Sequence, residues 1–248
     1  MTLTFDNSVA RLRLDRPDHG NAFDLASAIA FRDEVREIGA RDDVRAIVLS
    51  SAGPLFCAGG DVRAMAAAPD PGAFVRELAG TLHDGLVMLR GLAIPIVAAV
   101  HATAAGAGVG LVLAADIAIA ADTAKFVSAY DRIGLSPDCG VSALLPAAIG
   151  ARRAAQFALN SLSLDATTAH EWGLVSQVCS DEDLSGAVET VVTRLAAGHG
   201  PALGEAARLL RLAPERGYAA QLDDEADTIA RLASGDAAGE LIKAFASR

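Results

Sequence analysis

Two glycine-rich turns, each directly after an apolar run, are the parts of this chain best suited to chemistry. Residues 56–61 follow the run 46–49, and residues 105–110 follow the run 96–100. Glycine and alanine leave backbone N–H groups accessible, and a turn that opens a helix presents unpaired N–H groups at the positive end of the helix dipole. Two such turns that meet would supply two donors for a developing oxyanion. The alternative is that both are tight turns packed for steric reasons.

Length and composition limit the fold and the partners. A chain of 248 residues suits one large domain, or a main domain with a smaller appendage. The hydrophobic content of 52% is sufficient for a core, and the aromatic content of only 4% favours alanine-rich helices in an α/β layer structure. A net charge of −10 argues against nucleic acid or an anionic membrane as a partner.

Cysteine content and hydropathy indicate a cytoplasmic protein. Three cysteines give no even disulfide framework, which favours a reducing compartment. The first residues have neither the basic nor the apolar region of a signal peptide. The longest weakly polar stretch, 94–115, contains Pro95, His101 and three glycines, so it predicts a strand, a turn and a buried helix rather than a membrane span.

Hydrophobic periodicity predicts an α/β core followed by helices. Apolar alternation and short apolar runs predict strands, and 3.6-residue spacing predicts the helices between them. After about residue 151 the pattern is helical throughout. The predicted strands are 9–14, 46–49, 96–100, 117–120 and 126–127, and the predicted helices are 25–39, 74–89, 109–115, 151–159, 166–172, 182–197, 202–212, 218–232 and 237–246.

The chain resembles the enoyl-CoA hydratase/isomerase (crotonase) superfamily over nearly its whole length. The matching segments, in the family's order, are 14–22, 56–61, 95–116 and 169–175. The resemblance implies a crotonase-like spiral of ββα repeats with an α-helical C-terminal region, assembled as a homotrimer or hexamer. It assigns the acyl-CoA site to a core over residues 1–197 and trimerisation to residues 198–248.

The same resemblance implies an acyl-CoA thioester as substrate, with neither a separate cofactor nor a metal. The thioester carbonyl would lie between the backbone N–H groups of Gly60 and Ala107. Further residues implied to bind the substrate are Ala22, Ala58, Asp61, Val62, Arg63 and Tyr130. Among these, Asp61 is expected to be structural support, and Arg63 is either a contact to CoA phosphates or a solvated charge.

The chain departs from the hydratases of the family at two positions. Their two water-activating glutamates correspond to Gly110 and Tyr130, so both carboxylates are missing. Tyrosine has an ordinary pKa of about 10, which makes it a poor replacement base. Simple hydration by a glutamate pair is therefore disfavoured.

Asp138 is the candidate base. The segments 134–140 and 169–173 match the ring-epoxyphenylacetyl-CoA isomerase branch, in which an aspartate moves protons between carbons of the acyl-CoA. One carboxylate suffices for a 1,3-proton shift, because the base that accepts a proton at one carbon can return it at another. The alternative role of Asp138 is an N-cap for the following helix. Cys139 has no evident histidine partner, and His83 is expected to be a surface or structural residue.

These observations predict an acyl-CoA isomerase that shifts a double bond or opens a ring through a thioester enolate. Two alternatives stay open: an enoyl-CoA hydratase that uses one carboxylate, and a non-catalytic acyl-CoA-binding protein. A dinucleotide-binding oxidoreductase is disfavoured, because the third glycine of 106–110 comes one residue early and no acidic residue ends a strand about twenty positions later.

Overall fold

A six-stranded sheet forms the centre of the molecule, whose computed structural model describes residues 1–247. The strands are β1 (Thr2–Asp6), β2 (Val9–Leu14), β3 (Ala46–Ser51), β4 (Ile96–Val100), β5 (Ala104–Ala105), β6 (Ile117–Ala121), β7 (Lys125–Val127), β8 (Ser163–Asp165) and β9 (Gln177–Cys179). The large sheet has the order β1-β2-β3-β4-β6-β9, and the small one has the order β5-β7-β8. In the large sheet only the β1–β2 pair is antiparallel, so the other connections cross over through helices or long loops.

Helices cover both faces of the large sheet. They are α1 (Leu25–Gly39), α2 (Val62–Ala67), α3 (Pro71–Gly91), α4 (Ala107–Ala114), α5 (Val141–Ile149), α6 (Ala151–Leu159), α7 (Ala166–Trp172), α8 (Leu184–Ala197), α9 (Gly200–Leu212), α10 (Tyr218–Ala233) and α11 (Asp236–Ala246). Because side chains alternate along a strand, Ala46 and Val48 of β3 pack with α8, whereas Ile47 and Leu49 face the larger cluster that contains residues of α1 and α3.

The α/β class and the helical C-terminal region are confirmed, whereas some local predictions were incomplete. Strands β1, β5, β8 and β9 were not predicted, and β8 and β9 interrupt the segment after residue 151 that was expected to be helical throughout. Helix α2 was not predicted either. Helix α2 begins at Val62 because the Asp61 carboxylate accepts the N–H groups of Arg63 and Ala64 at 3.1 and 3.2 Å.

A buried arginine fastens the C-terminal helices to the core. Arg211 of α9 is only 6% exposed. Its guanidinium donates to the carbonyls of Leu89, Leu92 and Ile94 and lies 3.2 Å from the carboxylate of Asp116. These contacts join α9 to the end of α3 and to the start of β4. Within residues 1–247, no helix combines the length and the hydropathy that a bilayer crossing requires.

Candidate active site

The two glycine-rich turns meet, as the sequence predicted. Cys57 and Ala104 form a parallel β-bridge, and the Ala105 N–H donates to the Cys57 carbonyl at 2.8 Å. Gly59 has a φ of +95°, and a Cβ added there would lie 3.2 Å from the Ala105 carbonyl. The first turn therefore lies directly against the second, and both the positive φ and the close approach favour glycine at position 59.

Both proposed oxyanion donors face one cavity. The backbone N–H of Phe23 donates to the Gly59 carbonyl at 2.7 Å, and the Phe23 carbonyl accepts the Asp61 N–H at 2.8 Å. The N–H of Gly60, which lies between these two residues, is therefore directed away from Phe23. Ala107 is the first residue of α4, where an N–H has no partner within the helix. Among residues 1–247, neither the Gly60 nor the Ala107 N–H makes a hydrogen bond.

Gly60, Ala107 and Asp138 line this central cavity, which has a volume of about 350 Å³. Tyr130 lines it too, and its hydroxyl donates to Oδ1 of Asp138 at 2.8 Å. Burial and the adjacent Asp138 carboxylate raise the pKa of Tyr130 well above its usual range, so the phenol stays protonated and acts as a donor. The cavity thus combines a pair of backbone donors with one oriented carboxylate.

The alternative role of Asp138 as a helix cap is wrong. Helix α5 begins after Gly140, and no side chain caps its first turn. The Val141 N–H bonds to the backbone carbonyl of Asp138 at 2.9 Å, not to its carboxylate. The Asp138 side chain is therefore free to face the cavity.

The surroundings of Gly110 leave no space for a glutamate at this position of α4. A Cβ added at Gly110 would lie 2.5 Å from the carbonyl oxygen and 2.8 Å from the Cβ of Cys139. No side chain fits there unless the backbone beside Asp138 moves. The loop that carries Asp138 occupies the space in which a side chain at position 110 would begin.

His83 is a site residue that the sequence analysis missed. Its Nε2 accepts the backbone N–H of Cys139 at 3.1 Å, which corrects the expectation that Cys139 has no histidine nearby. The partner of the imidazole is the main chain and not the thiol. Burial and the Asp138 carboxylate raise the pKa of Cys139, so its thiol stays protonated and is a poor nucleophile. No sequence spacing relates His83 to Cys139, because α3 and the loop come together only through the fold.

Three side chains that could act as metal ligands lie close together, namely those of His83, Asp138 and Cys139. Their candidate ligand atoms are within 4.8 Å of one another. However, the Nε2 lone pair of His83 already accepts an N–H, and the thiol is protonated, whereas metal ligands must offer free lone pairs or thiolates. The absence of a metal in the reaction stays a prediction.

The other residues predicted to bind substrate lie beside the central cavity. A neighbouring cavity of about 370 Å³ shares Ala58, Gly60 and Val62 with it. Its lining also includes Ala22, Asp61 and Arg63. Asp61 is only 8% exposed. Its carboxylate caps α2 and lies 3.4 Å from the Arg16 guanidinium, and both contacts support a structural role for this residue.

Comparison with known proteins identifies the family. The sequence model of the enoyl-CoA hydratase/isomerase family matches residues 4–248. The chain belongs to the enoyl-CoA hydratase/isomerase family. It is 36% identical to the 1,2-epoxyphenylacetyl-CoA isomerase of Escherichia coli (strain K12) over 227 residues, which cover 90% of this chain and 86% of that protein.

Other relatives in this family carry different names. A trans-2-decenoyl-[acyl-carrier-protein] isomerase of Streptococcus mutans is 35% identical, over 78% of this chain and 74% of that protein. A solved enoyl-CoA hydratase of Mycobacterium smegmatis superimposes with a TM-score of 0.92 at 27% identity, covering 99% of this chain and 95% of the other. The enoyl-CoA hydratase/isomerase family thus fixes the fold and the general class of reaction, and the choice of reaction depends on the site.

Proposed function

We propose that this protein is an acyl-CoA isomerase that shifts a double bond or opens a ring through a thioester enolate. The observation that carries the proposal is the single carboxylate of Asp138, which shares the central cavity with two backbone donors that make no hydrogen bond within residues 1–247. Resemblance to an isomerase at 36% identity supports the same reaction class.

The site suggests a short sequence of proton transfers. With the thioester oxygen held by the N–H groups of Gly60 and Ala107, Asp138 removes a proton from one carbon of the acyl group. The electron pair delocalises onto the thioester oxygen, where the two donors stabilise the charge. The protonated Asp138 then returns the proton at another carbon, which regenerates the carboxylate and moves the double bond. No electrons are gained or lost, so we propose that no cofactor other than the substrate's own CoA takes part.

Two features oppose hydration as the main reaction. Neither Gly110 nor Tyr130 supplies a carboxylate, and the phenol of Tyr130 is held as a donor to Asp138. A water molecule attacking the β-carbon needs a base to accept its proton and an acid to protonate the α-carbon. The glutamate pair that would position and activate this water has no counterpart here, so we expect hydration of a 2-enoyl-CoA to be slow.

Solvent-exchange measurements with Asp138→Asn test this proposal. The parent protein is incubated with an enoyl-CoA in deuterated buffer, and mass spectrometry and NMR follow deuterium uptake and double-bond migration. Asn keeps the size of the side chain but removes the base, so exchange should fall by about 1,000-fold. Affinity for CoA should stay within about twofold. Asp131→Asn, an exposed neighbour in the turn Asp131–Ile133, is the matched control and should retain exchange.

Each other outcome would replace the proposal with a specific alternative. Undiminished exchange in Asp138→Asn would place the base elsewhere, and an inactive parent would favour a non-catalytic acyl-CoA-binding protein. Efficient hydration that is lost with Asp138 would establish the single-carboxylate hydratase. Chloride release from 4-chlorobenzoyl-CoA would instead indicate the reaction for which two Arthrobacter relatives, each 34% identical over 77% of this chain, are named.

We also propose that the protein assembles as a trimer or a pair of trimers through residues 198–248. The support is a set of large apolar side chains left exposed on the last two helices: Tyr218, Leu222, Ile229, Leu241, Ile242 and Phe245. Sedimentation should give three or six times the chain mass of 25.3 kDa. Ile242→Glu with Phe245→Glu should lower that mass, whereas Leu159→Glu on α6 should not. A monomeric parent would contradict the proposal.

A cytoplasmic location remains part of this proposal. Cys57, Cys139 and Cys179 are all free, and burial raises the pKa of Cys57 to about 12. Free thiols are typical of a reducing compartment. Fractionation of cells that produce the protein would test the location directly.

A further inference from the structure

The hydrogen bond between His83 and Cys139 defines the state of the imidazole. A backbone N–H can only donate, so the Nε2 of His83 that accepts it at 3.1 Å carries no proton. The imidazole is therefore neutral, with its proton on Nδ1. Among residues 1–247, the Cys139 N–H has no acceptor other than this nitrogen. Removing the acceptor would leave a buried N–H unsatisfied, because Cys139 is only 2% exposed.

The backbone at Cys139 needs such support. Its φ is +51°, a left-handed conformation that costs a residue with a Cβ about 1–2 kcal/mol. Two backbone hydrogen bonds hold the loop locally, from Leu135 to Tyr130 at 3.0 Å and from Val141 to Asp138 at 2.9 Å. The loop belongs to no sheet. The bond from Val141 closes a turn over Cys139 and Gly140, and the bond to His83 is the contact that ties this turn to helix α3.

His83 and Cys139 also stand between two cavities. The central cavity is lined by Cys139 together with Leu78 and Leu82 of α3. A second cavity of about 340 Å³, here the rear cavity, is lined by His83, Cys139 and later residues of α3 such as Leu86. Cys139 lines both cavities, so a small thiol reagent has a route to it whenever the loop loosens.

We propose that His83 is a positioning residue: its neutral imidazole fixes the Cys139 N–H and thereby orients the Asp138 carboxylate toward the oxyanion donors. Its role is that of a hydrogen-bond acceptor, and it transfers no proton. This inference rests on the proposed function of Asp138 as the base. It adds a polar side chain of α3 to a site whose other polar groups come from the turns and the loop.

Two substitutions at position 83 separate the acceptor from other roles of the imidazole. His83→Gln places an amide oxygen near the position of Nε2, whereas His83→Leu removes the acceptor and keeps an apolar side chain of similar size. We expect kcat for isomerisation to fall about 30-fold in His83→Leu, because a small displacement of a catalytic group is enough for such a loss. KM should stay within about threefold, and His83→Gln should recover kcat to within about threefold of the parent.

Alkylation of Cys139 tests the loop independently of activity. Iodoacetamide modification is mapped by mass spectrometry, with the half-buried Cys179 as an internal reference. Cys139 should react at least about tenfold faster in His83→Leu than in the parent or in His83→Gln, because a loosened loop opens more often. Cys179 should react equally in all three proteins.

The outcomes distinguish this inference from the proposed function. If His83→Gln is as slow as His83→Leu while Cys139 stays protected, the imidazole transfers a proton and the positioning role is wrong. If His83→Leu has parental kcat and parental alkylation, the contact has no role. If the parent protein has no isomerase activity, the proposed function fails, and the alkylation rates alone still decide whether His83 holds the loop.

Discussion

The two walls of the central cavity are built differently. The wall that would bind the thioester oxygen is main chain, and it is fixed by backbone hydrogen bonds such as that from Ala105 to Cys57. The wall that carries Asp138 lies outside both sheets and depends on side chains, namely the hydroxyl of Tyr130 and the imidazole of His83. The first wall supplies its polar groups from the main chain, whereas the second needs particular side-chain functional groups. The same cavity therefore has one part that is hard to displace and one that is easily displaced.

Helix α4 contacts both walls through two glycines. A Cβ added at Gly108 would lie 2.5 Å from the Cys57 carbonyl, and one added at Gly110 would lie 2.5 Å from the Cys139 carbonyl. A methyl group at Gly108 would therefore clash with the main-chain wall, and a methyl group at Gly110 would clash equally with the looser wall that carries Asp138. Substitutions in and around α4 can compare the two directly.

The largest effect is expected from removing a proposed oxyanion donor. Ala107→Pro deletes an N–H at the first position of α4, where proline is compatible with a helix. Isomerase kcat should fall by about 100- to 1,000-fold, with little change in unfolding temperature. Gly60→Pro should have at least a comparable effect on turnover.

Ala151→Pro is the matched control. Ala151 is exposed, begins α6 and follows a glycine with positive φ, as Ala107 does. It should leave turnover unchanged. Parental activity in Ala107→Pro would contradict the oxyanion assignment.

A smaller effect is expected from adding a methyl group to each glycine of α4. Gly110→Ala should displace the loop and lower kcat about 30-fold, because the loop can move. Gly108→Ala should instead destabilise the fold by about 1–3 kcal/mol, since the first turn is held by its backbone bonds and cannot easily shift. Denaturant unfolding and turnover, measured on both variants, test this difference. Equal losses of stability would mean that the two walls are equally rigid.

The smallest effect is expected at Tyr130. Tyr130→Phe removes the donor to Asp138, and turnover should fall about tenfold, since one of two orienting bonds remains. Because the pKa of Tyr130 is raised, its phenol stays protonated beyond its usual value of about 10. The turnover of the parent should therefore not fall at alkaline pH through ionisation of the phenol, and its alkaline pH profile should match that of Tyr130→Phe. Such a loss in the parent, absent from the variant, would show that the phenol ionises.

The sequence predicted the main-chain wall well and the side-chain wall only in part. The turns were found because glycine patterns after apolar runs act locally, and the meeting of Gly59 with Ala105 follows from parallel neighbouring strands. Asp138 was found through resemblance to a branch of the family. His83 was missed, because its contact joins α3 to a loop 56 residues later and involves a backbone N–H that no residue type reveals. Strand β1 was also missed, since its residues are only partly buried.

The packing of Gly110 against Cys139 restricts how this protein could change by mutation. A glutamate introduced alone at position 110 would meet the backbone of the loop before its carboxylate could reach a substrate. The loop would have to be remodelled first, and that remodelling would displace Asp138, the proposed base, before a second carboxylate was in place. A single substitution to glutamate at position 110 is therefore expected to impair the site before it can add a second carboxylate to it. The order of substitutions, and not only their number, separates the two chemistries.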